Sequence, residues 1–188
     1  MHKGDFFSEF LKEGKNIGSI TPSSKYLVKK MIEPIDFSNV KCIVEFGSGT
    51  GNITLELLKK MPDDALLLAF ETNAEFCDKL QLIKDPRLKI ICDTAEKLGN
   101  YLSENNIQKA DYIVSSLPFA IIPNNIVKNI LGVVTKVLKP GGAFIQFQYS
   151  LNAYKKLRET FKNVDLTFTP INIPPAFIFT CTNYTRAY

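Results

Sequence analysis

Residues 40–51 read Val40-Lys41-Cys42-Ile43-Val44-Glu45-Phe46-Gly47-Ser48-Gly49-Thr50-Gly51. An apolar, β-branched run ends in a glycine-rich turn, and the stretch 51–61 behind it spaces its apolar residues by three and four. That order is strand, turn, helix. Glycines allow a sharp strand-to-helix turn and let a ligand come close to the backbone. The dinucleotide fingerprint GxGxxG needs glycine at position 52, where Asn52 stands, and no GK[ST] ending marks a phosphate-binding loop. What remains is ExGxGxG.

An acidic residue opening such a loop suits an ammonium group better than a pyrophosphate. S-Adenosyl-L-methionine, with an amino group and a sulfonium, fits; a glycine-rich turn without a ligand is the alternative. Glu45, Gly47, Ser48, Gly49 and Gly51 are the expected contacts. Working outward, the rhythm continues. Strand-like runs at 65–71, 88–92, 110–115 and 142–149 alternate with helix-length stretches at 73–84, 94–106 and 123–138. The strands alternate little, as strands buried on both faces do in a parallel sheet. Asn73 with Glu75 reads as a helix start, and Lys139-Pro140-Gly141-Gly142 as a helix stop and turn. After a helical stretch at 152–162, the runs 164–171 and 176–182 follow with no helix between them, which predicts an antiparallel hairpin on one sheet edge.

Length and composition agree with a globular α/β domain. The chain has 188 residues, 45% hydrophobic and 22% charged, enough to bury a core without metal or disulfides. Its longest apolar run, 65–70, is far short of a membrane span, and the first residues lack the core of a signal peptide. A cytoplasmic protein, peripheral at most on the inner membrane face, is expected. The only histidine is His2, which excludes imidazole-based nucleophile systems and histidine metal sites; no metal is expected. Cys42, Cys77, Cys92 and Cys181 form no CxxC pair and are expected as buried free thiols. The net charge of +4 sits at the two ends, a mildly basic rim that suits an anionic membrane or a nucleic acid.

The candidate site residues lie at strand ends. Glu71 closes the second strand, 20 residues past Gly51, where a carboxylate can accept both ribose hydroxyls; Thr72 follows it. Asp93, Thr94 and Ala95 close the third, where an adenine edge could meet a carboxylate and backbone amides, although Asp or Thr here also reads as a helix cap. The fourth ends in Ser115-Ser116-Leu117-Pro118-Phe119. Ser116 and a backbone carbonyl held by Pro118 can orient an amine, and Phe119 can wall a cationic centre; the alternative is Pro as breaker and Phe as core.

This last segment resembles the [Asn/Asp/Ser]-x-Pro-[Tyr/Phe] motif of class I methyltransferases that act on amines, and with ExGxGxG and the acidic second strand the resemblance covers 40–182. The stretches Gly18–Tyr26 (GSITPSSKY), Ser115–Phe119 and Asn172–Ala176 (NIPPA) are similar to those of bacterial phospholipid N-methyltransferases, and more loosely of ribosomal RNA adenine dimethyltransferases. The latter usually start the motif with Asn and carry a further helical domain. The resemblance implies a Rossmann-like, seven-stranded, mostly parallel sheet with a C-terminal antiparallel hairpin and helices on both faces. It implies an N-terminal helical segment (1–35) before a methyltransferase domain (36–188). It further implies S-adenosyl-L-methionine as cofactor and a lipid head-group amine, of the phosphatidylethanolamine type, as acceptor.

An RNA adenine or a protein amine is the alternative acceptor, and a non-catalytic cofactor-binding scaffold the second alternative. As a helix, residues 5–13 would gather Phe6, Phe7, Phe10 and Leu11 within about 140° of one another, a face that either lies in a membrane interface or lids its own domain. With no histidine to receive a proton, a tyrosine, a backbone carbonyl or a water is the expected acceptor, with Tyr26 and Tyr149 the tyrosine candidates.

Overall fold

A computed structural model describes residues 24–183, and the predicted apolar face Phe6, Phe7, Phe10 and Leu11 lies outside them. Helix α1 (Lys25–Ile32) starts at Ser24, whose hydroxyl accepts the Leu27 N–H, and buries Leu27, Val28, Met31 and Ile32. Then alternate β1 (Cys42–Phe46), α2 (Asn52–Leu58), β2 (Leu66–Phe70), α3 (Ala74–Leu80), β3 (Leu88–Ile91), α4 (Leu98–Glu104) and β4 (Ala110–Ser115). The chain continues through α5 (Asn124–Val137), β5 (Leu138–Gln148), α6 (Tyr154–Thr160), β6 (Asn163–Thr169) and β7 (Ala176–Thr182). The sheet order is β3-β2-β1-β4-β5-β7-β6, and β7 alone runs against the others. This is the predicted Rossmann-like sheet with its terminal hairpin.

Period-two alternation sorts the strand side chains onto two cores. Ile43, Leu67, Val114, Ile145 and Ile178 face α1 and α2; Val44, Leu68, Ile113, Phe144 and Phe179 face α4, α5 and α6. Asn73 caps α3 as the sequence predicts, its side chain accepting the Phe76 N–H. Parallel pairing brings the carboxyl ends level. Phe46 pairs with Phe70 and with Ser115, and Ser115 with Gln146. The chain reverses its winding between β1 and β4, so the crevice for a ligand opens at that end.

Two readings need correcting. Lys139–Gly142 is a turn, but one within β5: Ala110 pairs with Leu138 and Tyr112 with Ala143, so these four residues bulge opposite Asp111. The bulge is held because Asp111 Oδ1 accepts from Lys139 Nζ at 2.8 Å, while Oδ2 accepts the Lys41 and Cys42 N–H groups at 2.8 and 2.9 Å. Nor are all four cysteines free thiols. Cys77, on the buried face of α3, and Cys92, just past β3, have Cα atoms 6.1 Å apart and form a disulfide. Cys42 and Cys181 are free and buried; burial, with Asp111 adding to it, pushes the Cys42 thiol up to about 12.

Burial works against ionisation of Asp111, but the Lys139 ammonium and the two backbone N–H groups outweigh it and hold the carboxyl below its usual range. Its contribution to stability is therefore full above the unfolded pKa, about 3.9, and lost as pH falls through the lower folded value. Asp111→Asn should cost about 1–3 kcal/mol in urea unfolding at pH 7, and that deficit should shrink at acid pH.

Candidate active site

The glycine loop hangs on the end of β2. Phe70 O accepts the N–H groups of Gly47 and Ser48 at 2.9 and 3.2 Å, and Gly51 N–H closes the turn on Ser48 O at 2.9 Å. Gly51 sits at φ +85°, and a Cβ there would meet Leu80 Cδ2 at 3.1 Å, so both conformation and space ask for glycine. Glu71 fastens the arrangement. Its Oε2 accepts the Gly49 N–H at 2.8 Å, and its Oε1 accepts those of Thr72 and Asn73 at 2.8 and 2.9 Å. The sequence leads one to expect Glu71 at a cofactor's ribose; the structure shows it tying the loop down.

Glu45 lies beneath the loop and is fully buried. Thr54 Oγ1 donates to its Oε2 at 2.6 Å, while Oε1 is buried without a partner. Burial pushes its pKa up to about 7, against the pull of the Thr54 and Ser48 hydroxyls, and the nearby Glu71 charge adds to the rise. An orphaned acceptor of this kind fits the ammonium end of S-adenosylmethionine. Asp93 is more committed. It accepts from Lys97 Nζ at 2.8 Å, Tyr101 Oη at 3.0 Å and the Thr94 N–H at 2.8 Å. Burial opposes its ionisation, yet those three donors keep the carboxyl below its usual range. Thr94 caps the turn that follows, and Ala95 packs into the core.

The Ser115–Phe119 segment departs from expectation in two ways. The Leu117 carbonyl, the one ahead of Pro118, already accepts three N–H groups: Phe119 N at 3.0 Å, Gln146 Nε2 at 3.0 Å and Gln148 Nε2 at 2.7 Å. It is saturated as it stands, and the Ser116 side chain beside it is half-buried. Phe119 is a core ring, 5% exposed and stacked on Phe144 at 6.4 Å, so it walls no open cleft. Ser115 is buried and accepts the Leu117 N–H at 3.3 Å. The two glutamines were missed in the sequence. Their signal is there: two amides at alternate positions of an otherwise apolar strand, Phe144-Ile145-Gln146-Phe147-Gln148.

The mouth of the site joins distant segments. Ser24 Oγ donates to Asn172 Oδ1 at 2.7 Å, across 148 residues, and Asn172 Nδ2 donates to Pro174 O at 2.7 Å. Tyr149, next to Gln148, stands edge-on to Phe147 at 5.5 Å and is 39% exposed. Burial raises its pKa and the Asn172 side chain holds the rise back. A phenol above its ordinary value, about 10, is almost wholly protonated at neutral pH. Tyr26 lies half-buried in the first turn of α1.

Two predictions follow from these carboxylates. A cationic ligand favours ionised Glu45, so S-adenosylmethionine should bind more weakly as pH falls below about 7, with Kd rising by up to about tenfold per unit. In titration calorimetry, Glu45→Gln should flatten that dependence. Glu71→Ala should weaken binding by about tenfold or more, with exposed Lys84→Ala as the neutral control; equal, small effects would remove Glu71 from the site.

A family model described as a methyltransferase domain matches residues 43–142, from β1 through the glycine loop, Glu71 and Ser115–Phe119 into β5. The chain is 30% identical over 179 residues to an ornithine lipid N-methyltransferase of Singulisphaera acidiphila, covering 94% of this chain and 93% of the relative. It is 28% identical over 150 residues to a ribosomal RNA small subunit methyltransferase A of Mycoplasmopsis synoviae, covering 76% of this chain and 55% of the relative. Among solved structures, a precorrin-6y C5,15-methyltransferase from Geobacter metallireducens superposes with a TM-score of 0.68 at 14% identity, covering 86% of this chain and 89% of that one. That last likeness concerns the fold alone. With sheet, loop and matched motifs in agreement, the chain belongs to the methyltransferase domain family, as a class I S-adenosylmethionine-dependent methyltransferase.

Proposed function

We propose that this enzyme methylates the primary amine of a lipid head group, of the phosphatidylethanolamine or ornithine-lipid kind. One observation carries the reading. The likeness to the ornithine lipid N-methyltransferase runs through nearly the whole of both chains. It therefore extends beyond the matched domain to the hairpin and the Ser24 segment, which meet at the mouth of the site. The ribosomal RNA relative is matched over about half its own length.

When bound, S-adenosylmethionine supplies an electrophilic methyl group on its sulfonium. The chain's own residues hold and orient. Glu45 meets the ammonium end beneath the loop, Glu71 the ribose, and Asp93 with Thr94 and Ala95 the adenine. Gln146 and Gln148 pin the Leu117 carbonyl, so the Ser115–Phe119 turn presents the Ser116 hydroxyl in one place. An amine donating an N–H to Ser116 would keep its lone pair turned toward the methyl group, an in-line approach worth much of the barrier. The acceptor must arrive neutral, and partial desolvation at the mouth favours that form. Its proton leaves to water after transfer.

The test is methyl transfer from labelled S-adenosylmethionine into vesicles containing phosphatidylethanolamine or ornithine lipid, with ribosomal RNA and protein extract in parallel. Label in a lipid amine is the expected result, and chromatographic mobility identifies the head group. Label in RNA alone would overturn the reading. Gln148→Leu should lower kcat about tenfold or more while leaving S-adenosylmethionine affinity unchanged, because it removes the shortest of the three hydrogen bonds that hold the Leu117 carbonyl without touching the cofactor loop.

A further inference from the structure

The β6–β7 hairpin ends in Pro170-Ile171-Asn172-Ile173-Pro174-Pro175. Thr169 pairs with Ala176, and Phe177 with Gln148, so this tip projects past the carboxyl end of β5, the end where Gln148 holds Leu117. Its isoleucines are far out in solvent: Ile171 is 65% exposed and Ile173 84%. Leu166 and Phe168 on the same hairpin and Leu151 just past β5 are exposed as well. A patch of large apolar side chains beside an active-site mouth marks a surface made for contact.

The surrounding charge says what kind. Residues 142–158 and 166–183 contain no carboxylate, and α6, which opens just past β5, carries Lys155, Lys156 and Arg158 against the single Glu159, 4.0 Å from Lys155. Lys25 follows Ser24, whose hydroxyl is bonded to the tip at Asn172. Two protruding isoleucines with a net basic surround match the interface of an anionic bilayer, where apolar side chains enter the acyl boundary and cations meet lipid phosphates. We infer that the hairpin tip is a membrane-docking wedge that sets the acceptor mouth against an anionic lipid surface. The inference rests on the lipid reading of the acceptor and locates the surface that meets the lipid.

The chain contains no tryptophan, so a single one is a clean reporter. In the full-length protein, Ile173→Trp emission should shift to the blue on adding vesicles of phosphatidylethanolamine and phosphatidylglycerol, and brominated lipid should quench it. Leu82→Trp, 75% exposed on the β2–β3 flank of the sheet, should not respond. The double variant Ile171→Asp/Ile173→Asp should sediment with vesicles about tenfold less. It should lose turnover of vesicle-borne amine, yet keep turnover of a short-chain, monomeric aminolipid.

Silence of Ile173→Trp toward vesicles, or unchanged sedimentation of the double variant, would overturn the inference. So would a blue shift that depends on protein concentration without vesicles, which would make the occupant a second copy of this chain. The two readings fail separately. A vesicle response without methylation of any lipid amine would sink the acceptor assignment and leave the wedge. Lipid methylation with a silent Ile173→Trp would do the reverse.

Discussion

The Glu71 carboxylate holds three backbone N–H groups at once, and through Gly49 it fastens a loop carried by β1 to the end of β2. With the Phe70 carbonyl, which accepts the Gly47 and Ser48 N–H groups, that tie holds the glycine loop in place. The loop roofs over Glu45, whose Oε1 is buried without a partner, a costly arrangement. Because β1 pairs with β4 on its other side, the same levelled strand ends bring the Ser115–Phe119 turn against the loop; the Ser116 N–H bonds Phe46 O at 2.9 Å. The glycine loop and the Ser115–Phe119 turn are thus held together at one strand end.

On the acceptor side the constraint passes to β5. Two glutamines donate into a single carbonyl and leave the Gln146 Oε1 buried without a partner. A buried amide left half-satisfied carries a cost, which the fold accepts in exchange for a turn held in one place. Tyr149, Asn172 and Ser24 extend this rigid set outward to the mouth, so segments far apart in sequence share one rim.

Much of this was legible in the chain. The run 40–51 announces strand, turn and helix because an apolar stretch, three glycines and a change of period coincide there. Asn73 and the hairpin strands were readable from capping chemistry and from the missing crossover helix. Other features depend on what faces what. Lys139–Gly142 reads locally as a turn, and only the pairing of Ala110 and Tyr112 shows that it is a bulge inside a strand. Phe119 carries the motif's aromatic ring, yet Phe144 across the core decides that the ring packs inward. Cys77 and Cys92 sit on different elements, and their pairing follows from how α3 lies against β3. The apolar tip of the hairpin was visible as isoleucines, but not as a surface beside the mouth.

The central claim is that one crevice, framed by the loop of β1, Glu71 and the turn after β4, binds the methyl donor and presents it to the acceptor. Amide hydrogen exchange with and without saturating S-adenosylmethionine addresses it directly. Slowed exchange at Gly47–Gly51, Thr72 and Ser116–Phe119 together is the predicted result. Binding that leaves those amides unchanged, or protects another part of the sheet instead, would contradict the account.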